Sequence, residues 1–82
     1  MALRRYVAEY AQQTDALLRE YELRAFDLTR FQLAFGEADP RNPVVDCYPI
    51  DPARADFLRP YLVEEPDWDF VGRAYFLEAH VD

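Results

Sequence analysis

The sequence predicts an α+β domain in which short helices are set among extended segments. Two observations carry the helices: Asp27 and Asp51 each stand where a helix cap belongs, with apolar residues at helical spacing after them. A third carries a strand, because residues 74–81 alternate as a half-buried strand does.

The length sets the scale. Eighty-two residues, 51% hydrophobic and 30% charged, are too few for two cores and too apolar for a disordered chain, so residues 1–82 are expected to form one domain. A domain of this size buries only about 60% of its unfolded surface, and most large apolar side chains must therefore be structural. Nine arginines and no lysine face 16 carboxylates, for a net charge of −7. Such a surface is a poor match for nucleic acid, whose phosphates need clustered cations.

Residues 3–23 fit two periods. As a helix they offer Leu3, Tyr6, Val7, Tyr10, Leu17, Leu18 and Tyr21, a stripe broken by Gln13 and Thr14. As a hairpin they offer Tyr6, Ala8 and Tyr10 on one strand and Leu17, Arg19, Tyr21 and Leu23 on the other, joined by a polar run at residues 12–15. Intrinsic propensity leans to helix, while Tyr and Val at the ends and the polar break keep the hairpin open.

Next, Asp27 caps a helix of about two turns that buries Leu28, Phe31, Ala34 and Phe35 and is closed by Gly36. Asp39-Pro40 and Asn42-Pro43 mark a loop. Residues 44–48 read as one short strand, with Val45 and Cys47 on one side and Val44, Asp46 and Tyr48 on the other. Asp51-Pro52 starts a second helix, with Ala53, Phe57, Leu58, Tyr61 and Leu62 as its buried stripe and Pro60 tightening or ending it. After an acidic loop the closing strand turns Tyr75, Leu77, Ala79 and Val81 one way.

Little in the chain points to catalysis, and it is expected not to be an enzyme. There is no Ser or Lys nucleophile, and the one Cys, Cys47, reads first as a small apolar core residue and second as an interface contact. His80 can serve it only if the last strand lies beside residues 44–48. Two soft ligands do not make a zinc site, and Gly36 and Gly72 stand alone rather than in a phosphate loop, so no metal or cofactor is expected. Glu64 and Glu65 are a carboxylate pair without the length to build a deep cleft around them. A single cysteine, no leader pattern at residues 1–6 and no apolar run near the roughly 20 residues of a membrane span point to the cytoplasm, with no membrane partner.

The informative feature is a mixture of acidic and aromatic residues in the second half: Asp46, Tyr48, Glu64, Glu65, Asp67, Trp68, Asp69, Phe70, Tyr75 and Glu78. One reading is a solvated acidic surface around core aromatics. The other is a protein-binding face, since aromatic anchors carry interface energy and a field of one sign speeds encounter with an opposite partner. The four carboxylates of residues 64–69 repel one another, a strain that a cationic partner relieves. The phosphate-binding cleft of a nuclease is such a partner.

The order of features resembles the cloacin immunity protein family, inhibitors of ribonuclease-type colicins. The matching stretches are the hairpin-like residues 7–23, a short helix at residues 28–35, Asp46-Cys47-Tyr48, Phe57-Leu58-Arg59-Pro60-Tyr61-Leu62 and Ala74-Tyr75-Phe76-Leu77. The resemblance implies a three- or four-stranded antiparallel sheet opening with a β-hairpin, with two short helices packed on one face that bury Leu28, Phe31, Phe35, Phe57, Leu58 and Leu62. It implies an acidic protein that neutralises a cognate basic toxin, a nuclease and in this family a ribonuclease. Asp46, Cys47 and Tyr48 then fall where partner choice is set, and Tyr75, Phe76 and Glu78 on the last strand. The Asp51-Pro52 helix start, the long acidic loop at residues 64–72 and the short tail Val81-Asp82 depart from that family's pattern. A related immunity group serving contact-dependent or secretion-system toxins fits the same features, and the alternative outside immunity is an acidic, non-catalytic adaptor.

Overall fold

Two strands and a tight turn form the opening segment in the computed structural model, which describes residues 3–81. Met1 and Ala2, read above for a leader, and Asp82, read as part of a short tail, lie outside the described residues. Strand β1 (Leu3–Ala11) and strand β2 (Leu17–Glu22) pair antiparallel, with Val7 opposite Tyr21. The polar run turns the chain: Ala11 N–H donates to Ala16 C=O at 2.9 Å, and Asp15 takes a left-handed φ of 57°. The lean to helix on propensity is therefore overturned, and the hairpin implied by the resemblance is what forms. The cause of the ambiguity is that Tyr6, Val7, Ala8 and Glu9 are all buried, so an inner strand loses the in-out alternation that would identify it.

The remaining elements are α1 (Leu28–Ala34), β3 (Tyr48–Pro49), α2 (Pro52–Leu58), a 3-10 turn (Arg59–Tyr61) and β4 (Arg73–Val81). The strands make one antiparallel four-stranded sheet in the order β2-β1-β4-β3. Both helix starts form as their sequence indicates. Asp27 accepts from Arg30 N–H at 3.1 Å and Asp51 from Arg54 N–H at 2.9 Å, each satisfying a backbone donor that the first turn leaves free. Gly36 follows α1 at φ 69°, a conformation that costs a side-chain-bearing residue about 1 kcal/mol or more.

Helices and loops cover one side of the sheet. Val7, Tyr21, Tyr48, Tyr75 and Leu77 on that side pack with Phe31, Phe35, Val44, Ile50, Ala55, Leu58 and Leu62 in one core cluster. Phe31 is fully buried, with ring centroids 4.5 Å from Phe26, 4.9 Å from Tyr61 and 5.1 Å from Phe57. Three expectations fail locally. Leu28 is exposed, as an N-terminal helix residue beyond the sheet's reach, and on α2 the buried alanine is Ala55 while Ala53 faces solvent. The strand expected over residues 44–48 shrinks to Tyr48–Pro49, because the Asn42 side-chain carbonyl accepts from Val44 N–H (3.0 Å) and Val45 N–H (3.4 Å) and curls the chain. Val44 takes φ 60° there and is buried, leaving Val45, Asp46 and Cys47 exposed.

Candidate partner-binding surface

With both helices on one side, the other face of the sheet stays open. Alternation along the strands puts Tyr6, Ala8 and Tyr10 of β1 on it, with Phe76, Glu78 and His80 of β4 and Glu20 and Glu22 of β2 in the rows beside them. Ala8 is the small floor of this face, fully buried between Tyr6 and Tyr10 and directly opposite Phe76. Tyr10 and Phe76 meet edge to face at 5.8 Å. Arg4 bridges Glu22 (2.6 Å) and Glu20 (3.1 Å) along one margin and lies 4.6 Å over the Tyr6 ring.

Glu78 is the centre of this face. Its carboxylate accepts from Tyr10 O–H at 2.7 Å, from Tyr6 O–H at 3.4 Å and weakly from the Cys47 thiol at 3.7 Å. Among the described residues no arginine lies within ion-pair distance of it. The hydrogen bond to Glu78, then burial, pushes the Tyr10 phenol up to about 12, and burial followed by Glu78 raises Tyr6. Burial and Glu78 also raise the Cys47 thiol, which makes it a poor thiolate at neutral pH. Cys47 is exposed rather than part of the core, because the curl at Asn42 carries it past the sheet edge.

The acidic loop is a different environment. Glu64 pairs with Arg19 at 2.7 Å, and Glu65 with Arg59 at 2.7 Å and Trp68 Nε1–H at 3.1 Å. Asp69 accepts from Val71 and Gly72 N–H at 3.1 Å each, hydrogen bonds that hold its carboxyl below the ordinary value. Three of the four loop carboxylates thus already have partners within the chain, so the mutual repulsion inferred from their spacing is largely relieved. Trp68 packs on Tyr75 (4.8 Å) and stacks with Phe70 (5.7 Å). Between this loop and β2 lies an open cleft of about 490 Å³ lined by both signs of charge, including Glu9, Arg19, Asp67 and Arg73.

The sequence-derived site residues therefore divide three ways. Asp46, Cys47 and Glu78 come together around one notch. Glu64, Glu65, Asp67, Trp68 and Asp69 lie in the loop against the helix-bearing side, and Tyr48 and Tyr75 are core residues. Tyr6, Tyr10, Glu20 and Glu22 were absent from the acid–aromatic set. The signal that finds them is the hairpin itself, which sets Tyr6, Ala8 and Tyr10 on one face. Cys47 hydrogen-bonds Glu78 and not His80, and the described residues contain no group of three or more His, Cys, Asp or Glu side chains arranged to hold a metal ion.

These features define a class: a small α+β domain with one helix-covered sheet face and one acidic and aromatic face that no helix covers among the described residues. The chain belongs to the DUF7683 family, a domain of unknown function, whose match spans residues 4–78, more than nine-tenths of its length. No curated protein matches it. Among the described residues no helix is long and apolar enough to cross a membrane.

Proposed function

We propose that this is an acidic, non-catalytic immunity-type protein of the cytoplasm that binds and neutralises a cognate basic bacterial toxin through the open sheet face. The observation that carries the reading is Glu78, a half-buried carboxylate supported by neutral donors and flanked by Tyr10 and Phe76. A carboxylate set among aromatic rings offers a cationic side chain both a charge-assisted hydrogen bond and ring faces, the composition typical of an interface anchor. The net charge of −7 favours rapid encounter with a cationic surface.

A nuclease suits this partner class because its phosphate-binding cleft is cationic, and the antiparallel sheet with an opening hairpin agrees with the fold that the resemblance implied. The toxin is accordingly proposed as a nuclease, most simply a ribonuclease. The test is co-expression in a host with basic toxin candidates encoded beside this gene. Restored growth with one of them, and copurification of the pair, is expected; a partner that copurifies but never affects viability would replace the inhibitor by the adaptor reading.

A further inference from the structure

Strand β4 is longer than the strand that covers it. Its nine residues pair with β1 throughout, yet on the outer side β3 supplies only Tyr48 opposite Leu77 and Pro49 opposite Phe76. In an antiparallel ladder the N–H and C=O of one residue point to the same side and successive residues alternate. Ile50 N–H donates to Tyr75 C=O at 2.9 Å, so Tyr75, Leu77, Ala79 and Val81 direct their backbone groups away from β1. Continuing the β3 register would set Asp46 opposite Ala79. The Asn42 turn and the left-handed Val44 divert the chain before that pairing forms. Ala79 and Val81 thus face outward with no strand opposite them among the described residues.

The gap has a definite chemistry. A notch of about 120 Å³ opens there, lined by Val45, Asp46, Cys47, Glu78 and Ala79. Asp46 accepts from Asn42 Nδ2–H at 3.0 Å, and no arginine among the described residues lies within ion-pair distance of Asp46 or Glu78. Pro49 lacks the N–H that would continue pairing beyond β3, which leaves the step at Ala79 as the usable edge on this side of the sheet. At the opposite margin residues 61–63 run beside the end of β2, with Val63 N–H on Glu22 C=O at 3.1 Å and Leu23 bridging Leu62.

We propose that the uncovered edge of β4 at Ala79 and Val81 takes up an extended, basic segment of the partner protein as an added strand, with an arginine or lysine side chain seated between Asp46 and Glu78. This rests on the basic-partner reading above and adds the mode of docking: backbone hydrogen bonds hold the segment and the two carboxylates select its charge.

The test is amide hydrogen exchange followed by NMR on the full chain, titrated with a capped pentapeptide of alternating arginine and valine and with its glutamate counterpart. The arginine peptide is expected to slow exchange at Ala79 and Val81 at least about tenfold, and the glutamate peptide to leave it unchanged. Ala79→Pro, which removes an outward donor, is expected to abolish that protection while the β1–β4 amides stay protected. Should that variant fail to fold, Asp46→Arg, which leaves the ladder intact, is expected to weaken the peptide about tenfold or more. Shifts on Tyr10 and Phe76 without slowed exchange at the edge would overturn edge pairing and leave the basic-partner reading standing, whereas no response to the arginine peptide would count against both. Protection that grows with protein concentration and needs no peptide would assign the edge to a second copy of this chain and overturn the proposal.

Discussion

Phe31→Ala is expected to remove about 3–5 kcal/mol of folding stability, the cost of deleting a large ring from a site that cannot collapse around the void. A small domain has only roughly 5–15 kcal/mol in total, so the variant is expected to be partly unfolded at growth temperature. The reason lies in position. Phe31 is fully buried on α1 and its ring meets Phe26, Phe35, Phe57 and Tyr61, so one side chain joins the α1 face to α2 and the 3-10 turn. Leu33, two residues on and 79% exposed, provides the contrast: Leu33→Ala is expected to change stability by less than about 0.5 kcal/mol. Urea unfolding followed by circular dichroism separates the two. Equal, small effects would mean that α1 does not pack on the sheet as described.

The second large effect is expected from Arg73→Ala. Glu9 is a buried carboxylate on the helix-covered side, 5% exposed, and it accepts from Tyr21 O–H at 2.7 Å and from the Arg73 guanidinium. Removing the arginine strands a charge that folding has taken out of water. Breaking a fully buried pair costs about 3–5 kcal/mol, and because the Arg73 side chain is 44% exposed and water can reach the site, about 2 kcal/mol is expected here. Adding Glu9→Gln removes the stranded charge and is expected to recover part of that loss. A double variant less stable than Arg73→Ala alone would contradict this assignment. Burial, then the bond to Glu9, also pushes the Tyr21 phenol from 10.0 up to about 12. The folded state holds that proton more tightly than the unfolded chain, so the contribution is full below pH 10 and is lost as pH rises toward about 12.

What the sequence made legible follows from how local each cause is. Asp27, Gly36 and Asp51-Pro52 act through the backbone of their own turn, and both helices begin where these residues place them. The closing strand was visible because it alternates, with Tyr75 and Leu77 buried and their neighbours less so. Residues 3–23 were not settled by pattern, since β1 is interior to the sheet and buries four residues in succession. Cys47 was misplaced because a side-chain turn from Asn42, five residues earlier, decides its exposure. For the surface, counting acidic residues along the chain favoured residues 64–69. Arg19 and Arg59 come from distant or neighbouring elements to neutralise Glu64 and Glu65, which linear spacing does not reveal. Glu78, isolated in sequence, is the carboxylate that the fold surrounds with Tyr6 and Tyr10 from another strand.

That contrast gives the most direct test of the central claim, that the open sheet face rather than the acidic loop engages a basic partner. The measurement is the affinity of the protein captured from the source organism on tagged wild-type chain, compared for Glu78→Arg and Glu64→Arg after both variants are shown to fold. Reversing the charge at Glu78 is expected to weaken binding at least about 30-fold, near 2 kcal/mol, while Glu64→Arg changes it by less than about threefold. A Glu64→Arg variant that loses the partner while Glu78→Arg keeps it would contradict the account and move the interface to the loop.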